Sequence, residues 1–114
     1  MESQSKRIEN YIRPDGKCPF TDWVESLRES RAKLKIDNRL RQVQLGNLSD
    51  YKSVGSGVCE LRIDYGPGYR IYFTQIDSTI ILLLCGGDKS TQNQDIQKAI
   101  SYRREYVKRQ NTIN

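Results

Sequence analysis

Alternation of apolar and polar positions is strongest between residues 57 and 74. Val58 to Asp64 alternates, and so does Tyr69 to Thr74. Between them lies Tyr65-Gly66-Pro67-Gly68, whose glycines can take the positive φ of a tight reversal. The pattern predicts a β-hairpin. Successive side chains of a strand point to opposite faces. Pairing the apolar sets puts Cys59, Leu61 and Ile63 with Tyr69, Ile71 and Phe73 on one face. Glu60, Arg62, Arg70 and Tyr72 then share the other face.

The flanking patterns supply the remaining elements. Ile8, Tyr11 and Ile12 mark a strand over residues 6–12, closed by the turn signal Arg13-Pro14-Asp15-Gly16. Phe20, Trp23, Val24 and Leu27 recur at helical spacing and predict a short helix from Pro19, with Trp23 as a core anchor. Ala32, Ile36, Leu40 and Val43 form the buried stripe of a second helix, capped by Ser30 and stopped at Gly46-Asn47. Residues 47–56 read as a loop. Residues 79–85 read as a strand apolar on both faces, as an interior strand covered by helix would be. Thr91 with Gln94 matches a capping box and opens a last helix with Ile96, Ala99, Ile100 and Val107 as its stripe. The order is strand, helix, helix, strand, strand, strand, helix. It predicts an α+β fold, an antiparallel-rich sheet with helices packed on it.

Length and composition narrow the function. A chain of 114 residues fits one domain, residues 1–114. Lys and Arg outnumber Asp and Glu by 19 to 14, a net charge of +5 that favours an anionic partner. There is no histidine, which excludes histidine general acid–base chemistry, Ser-His-Asp and Cys-His nucleophiles, and histidine-ligated zinc. The three cysteines are far apart with no CxxC pair, which argues against a disulfide framework and for a reducing cytoplasm. Residues 1–10 contain no apolar core of a secretory signal. The longest apolar run, residues 80–85, is too short to span a bilayer, so no membrane association is expected. No metal or cofactor is called for.

The basic residues are the candidate chemistry. Arg62 and Arg70 on a rigid sheet, with Tyr72 beside them, form a site able to read phosphate; guanidinium binds and stabilises charge but does not give up its proton. Glu60 reads as the ion-pair partner that orients them. For Tyr72, a place at the edge of the core and a place in the site are both open. Arg39 and Arg41 on the second helix suit either a solvated face or an electrostatic track for a nucleic-acid backbone, whereas Lys33 and Lys35 read as solvated. Lys52, just before the hairpin, is within reach of its polar face.

These residues sit in recognisable motifs: Phe20-x-x-Trp23, Arg39-Leu40, Gly46-Asn47, Gly57-Val58-x-Glu60-Leu61-Arg62-Ile63, Tyr65-Gly66-Pro67-Gly68-Tyr69-Arg70-Ile71-Tyr72-Phe73, and Leu83-Leu84-x-Gly86-Gly87-Asp88-Lys89-x-x-Gln92-x-x-Asp95-Ile96. Together they resemble the RelE/ParE superfamily of toxins from bacterial type II toxin–antitoxin modules, in the HigB-like branch of addiction-module killer proteins. The resemblance runs from about Phe20 to Tyr106. It implies a RelE-like fold and a cytoplasmic toxin, held inactive by a small antitoxin, expected to carry a helix-turn-helix. It also implies cleavage of mRNA on the ribosome without a metal. In that reaction the 2′-hydroxyl attacks the adjacent phosphate and leaves a cyclic phosphate.

By resemblance, Arg70 and Arg62 are phosphate contacts and Lys89 is the basic residue near the start of the last helix. The nuclease relatives carry Tyr or His in that helix, where the nearest position here is Asp95. The strand position two before Arg62, Lys in a relative, is Glu60. The acid and base therefore stay open among Glu60, Lys89 and Tyr72. Two further activities remain open: inhibition of DNA gyrase by protein binding, as in ParE-type toxins, and a non-toxic module that only binds its antitoxin.

Overall fold

The hairpin forms as its alternation predicts. In a computed structural model that describes residues 5–113, β3 (Val58–Ile63) and β4 (Tyr69–Gln75) pair antiparallel with Leu61 opposite Ile71 and Arg62 opposite Arg70. Residues 1–4 of the N-terminal stretch lie outside these residues. The other elements are β1 (Arg7–Asn10), α1 (Pro19–Ser26), α2 (Ser30–Gln44), β2 (Tyr51–Gly55), β5 (Ile80–Gly87) and α3 (Gln92–Ile113). They form an α+β fold: a five-stranded mixed sheet in the order β1-β5-β4-β3-β2, with three helices packed on it. All pairs are antiparallel except β1 with β5.

The sheet has a separate core on each face. Ala32, Ile36 and Val43 of α2 and Phe20 of α1 pack on Leu61, Ile71, Phe73, Ile81 and Leu83. On the opposite face, Ala99, Ile96 and Ile100 of α3 pack on Val58, Tyr72, Leu82 and Leu84. Covering both faces explains why β5 is apolar throughout. A bulge sets the two faces in register. Tyr72 pairs with Cys85 and Phe73 with Leu83, leaving Leu84 as the extra residue, and both Leu84 and Cys85 face α3. Trp23 is half-buried against Phe20 and Tyr69, with ring centroids at 5.8 and 6.0 Å, and a methyl at Gly86 would overlap its indole.

Three local expectations give way. The loop expected over residues 47–56 contains β2, an exposed edge strand whose Lys52 pairs with Glu60. Its sequence, YKSVG, carries too few apolar side chains to show a period, because one edge strand needs little burial. The signal lay in Ser56-Gly57, both at positive φ between the paired Gly55 and Val58, which is the geometry of a type I′ turn. Ser30 is the first residue of α2 rather than its cap. Glu29 holds the cap position and accepts no side-chain capping bond. Thr91 does not close a capping box with Gln94; its hydroxyl donates to Asp95 Oδ2 at 2.6 Å, and Asp88 caps the preceding 3-10 turn through Ser90 N at 2.8 Å. The other end of α2 stops as expected. Gly46, at φ 96°, donates to Val43 O and Asn47 to Gln42 O, the paired bonds of a Schellman motif.

Candidate functional site

Arg62 and Arg70 sit directly opposite each other, so both point to the face that α3 covers. Like charges in that relation repel. Glu60, one pair along on the same face, offsets them. Its Oε1 lies 3.5 Å from Arg70 Nε and 4.0 Å from Lys52 Nζ. Its Oε2 accepts from Gln92 Nε2 at 2.8 Å and from the Tyr72 hydroxyl at 3.2 Å. Glu60 is 0% exposed and Arg70 5%. Glu60 is thus the structural partner its position suggested, and α3 contributes to holding it through Gln92.

The far end of Arg70 is fixed by the hairpin turn. Its Nη1 donates to Gly68 O at 2.9 Å. Gly68, at φ 81°, also lies against the Lys89 side chain, and Lys89 N donates to Pro67 O at 3.4 Å. The turn therefore gathers Arg70 and Lys89. Together with Arg62, Gly68, Asp50 and Asp64 they line a cleft of about 320 Å³ at the end of the sheet where α3 begins. Arg62 and Lys89 are exposed and have no ion-pair partner among the described residues. Asp88, beside the cleft, accepts from Ser90 Oγ at 2.5 Å. That bond, with Arg70 contributing, holds its carboxyl below the usual carboxylate range. The arrangement offers an anion two guanidiniums and an ammonium, one guanidinium ion-paired with a buried carboxylate and hydrogen-bonded to Gly68 O.

The remaining sequence candidates are dispersed. Tyr72 does not reach the cleft. Its side chain is 0% exposed under α3, and burial, with the Glu60 carboxylate next, pushes its phenol well above the ordinary value. Of the two places open to it, Tyr72 takes the one in the core and not the one in the site, and there it supports Glu60. Arg39 and Arg41 lie on α2, across the sheet from the cleft face. Arg39 is occupied in holding the chain after α2, donating to Asn47 O at 3.2 Å and to Ser49 O. Arg41 is exposed. Only Lys52 of these three shares the cleft face, with its side chain 58% exposed. Asp95 is buried beneath Gly87 and Thr91 rather than facing the cleft.

Asp50 and Asp64 were not singled out from the sequence. The one available signal was Asp50 ahead of β2, where it takes φ 62°, a conformation Asp tolerates better than most residues. Among the described residues no group of three or more His, Cys, Asp or Glu gathers to hold a metal, and no helix is long and apolar enough to cross a membrane.

No protein-family model matches the chain, and no solved structure does. A Haemophilus influenzae protein described as an uncharacterized protein is 50% identical over 80 residues, covering 70% of this chain and 81% of the relative. The aligned stretch is too long and too similar for a chance match, and the chain belongs to the same family as this Haemophilus influenzae protein.

Proposed function

We propose that the chain is the toxin of a type II toxin–antitoxin module, a metal-independent endoribonuclease that cuts mRNA on the ribosome and is restrained by a small antitoxin. The observation that carries this reading is the convergence of Arg62, Arg70 and Lys89 on one cleft, with the two arginines at directly paired positions of adjacent strands. In the reaction the 2′-oxygen bonds to phosphorus, its proton passes to a base, the bond from phosphorus to O5′ breaks, and O5′ takes up a proton. Charge grows on the phosphoryl oxygens; the Arg70 guanidinium, already held in place, stabilises it with little reorganisation, and Arg62 adds a second positive charge. Tyr72 and Glu60 are sealed from solvent, so proton exchange falls to the accessible groups. In this reading Lys89, which lines the cleft, protonates O5′, and Asp50 or Asp64, which line it too, accepts the proton of the 2′-hydroxyl.

Induced expression without antitoxin should arrest growth, and primer extension should find breaks at codons of translated transcripts. Co-expression of a small protein encoded next to this gene should relieve the arrest. Intact transcripts in arrested cells would defeat the nuclease reading.

A second reading is a toxin that binds DNA gyrase. Its specific support is the burial of Tyr72 and Glu60, which a purely protein-binding toxin would tolerate. A supercoiling assay with purified protein separates the two, since the nuclease leaves gyrase unaffected. Normal growth on induction would instead favour a module that only binds its antitoxin.

A further inference from the structure

Three cations on the second half of α3 take no part in the cleft. Arg103, Arg104 and Lys108, with Ser56, Ile100 and Val107, line a groove of about 620 Å³ between α3 and the β2–β3 turn. No carboxylate lines this groove, whereas two line the cleft. None of the three cations has an ion-pair partner among the described residues.

Arg103 is built into place. Its Nε donates to Thr74 Oγ1 at 3.1 Å, and the Thr74 hydroxyl donates to Gly57 O at 2.8 Å. Its guanidinium occupies the space that a Cβ on Gly57 would need. Gly57, at φ 80°, is therefore required twice, for the turn and for the close approach of the guanidinium.

The groove and the cleft lie on the same face of the sheet. From Val58 to Arg62 the strand advances about 13 Å at roughly 3.3 Å per residue, and Lys52 stands between, opposite Glu60. The cations thus form a row from Lys89, Arg70 and Arg62 through Lys52 to Arg103, Arg104 and Lys108. Glu60 offsets only Arg70 and Lys52 in this row; Arg62, Lys89, Arg103, Arg104 and Lys108 lack ion-pair partners among the described residues, and their mutual repulsion is relieved when a polyanion neutralises them.

We propose that the groove is a second anion subsite, which holds the backbone phosphates of a single-stranded RNA whose scissile phosphate lies in the cleft. This rests on the nuclease reading above and extends it: binding energy comes from nucleotides several positions away from the cut. A single strand fits because its backbone can follow the row along β2 and β3, its phosphates neutralising successive cations.

The test uses fluorescence anisotropy with a labelled 2′-O-methyl RNA dodecamer and a labelled 2′-O-methyl dinucleotide. The variant is Arg104→Ala with Lys108→Ala, both exposed residues without side-chain partners among the described residues. Losing two phosphate contacts should reduce the slope of log affinity against log salt by about 1.4 for the dodecamer, at about 0.7 per contact. Dodecamer affinity should fall about tenfold at low salt, while the dinucleotide is unaffected.

Equal dodecamer affinity in variant and wild type overturns the subsite. If the dinucleotide still binds and loses affinity in Arg62→Ala, the cleft reading survives that result. Binding of both probes that is indifferent to Arg62, or no binding by either, overturns both. Duplex DNA of the same length bound as tightly as the single strand overturns the subsite too, since it would mark a general polyanion patch.

Discussion

Replacing Arg70 with alanine strands the Glu60 carboxylate in the interior. Glu60 is 0% exposed. Without Arg70 its Oε1 retains only Lys52, 4.0 Å away on a side chain 58% exposed. Removing one partner of a buried ion pair costs about 3–5 kcal/mol, because the remaining charge is uncompensated. Lys52 can move closer, and Oε2 keeps its bonds from Gln92 and Tyr72, so the lower end applies, about 3 kcal/mol. Adding Glu60→Gln removes the charge and keeps a polar group facing Gln92 and Tyr72. The double variant should recover about 2 kcal/mol of the loss, within the range of coupling energies for contacting residues. Urea denaturation of the four proteins of the cycle measures this. A loss below about 1 kcal/mol in Arg70→Ala would show that Glu60 is not held by that pair. No recovery on adding Glu60→Gln would show that charge is not the cause. A practical consequence is that Arg70→Ala weakens the fold as well as the cleft. Arg62, exposed and without an ion-pair partner among the described residues, is the cleaner probe of function.

Two other perturbations probe the packing around the site. Gly87→Ala would drive a methyl into the Asp95 carboxylate and to 3.1 Å from Thr91 Oγ1, so thermal unfolding should report a loss of about 1–3 kcal/mol, whereas unchanged melting would mean that the start of α3 yields freely. Tyr72 and Tyr11 have phenols raised above their ordinary value chiefly by burial, so the folded state holds these protons more tightly than the unfolded state. Their contribution is complete below about pH 10 and is lost as pH rises beyond it. Tyr72→Phe should reduce the alkaline slope of the urea midpoint without abolishing it, because Tyr11 remains, and an unchanged slope would contradict the assignment.

Sequence alone carried the elements whose pattern is local. The β3–β4 hairpin, the stripes of α1 and α2, and the Gly46-Asn47 stop all follow from patterns within a few residues. β2 was not legible because an edge strand needs no apolar period. The exposure of Arg70 and Tyr72 was not legible either. Arg-x-Tyr-x-Thr reads as a solvated face, but α3 lies across it, and that is a contact between distant parts of the chain. The same long-range placement put Arg39 and Arg41 on the wrong face for the cleft and Arg103 on the right one. The pairing of Arg62 with Arg70 was legible, because period two and a short turn fix the register once the apolar sets coincide. In α3, Val107 fits the period of the buried stripe but is exposed; Tyr102 and Tyr106 pack there instead.

The most direct measurement is primer extension on translated mRNA after induction of the wild-type chain and of Arg62→Ala at matched protein levels. The account predicts codon-positioned breaks with the wild type and their disappearance in the variant, which should remain folded. Breaks that persist without the Arg62 guanidinium, or growth arrest by the wild type with every transcript intact, would contradict it.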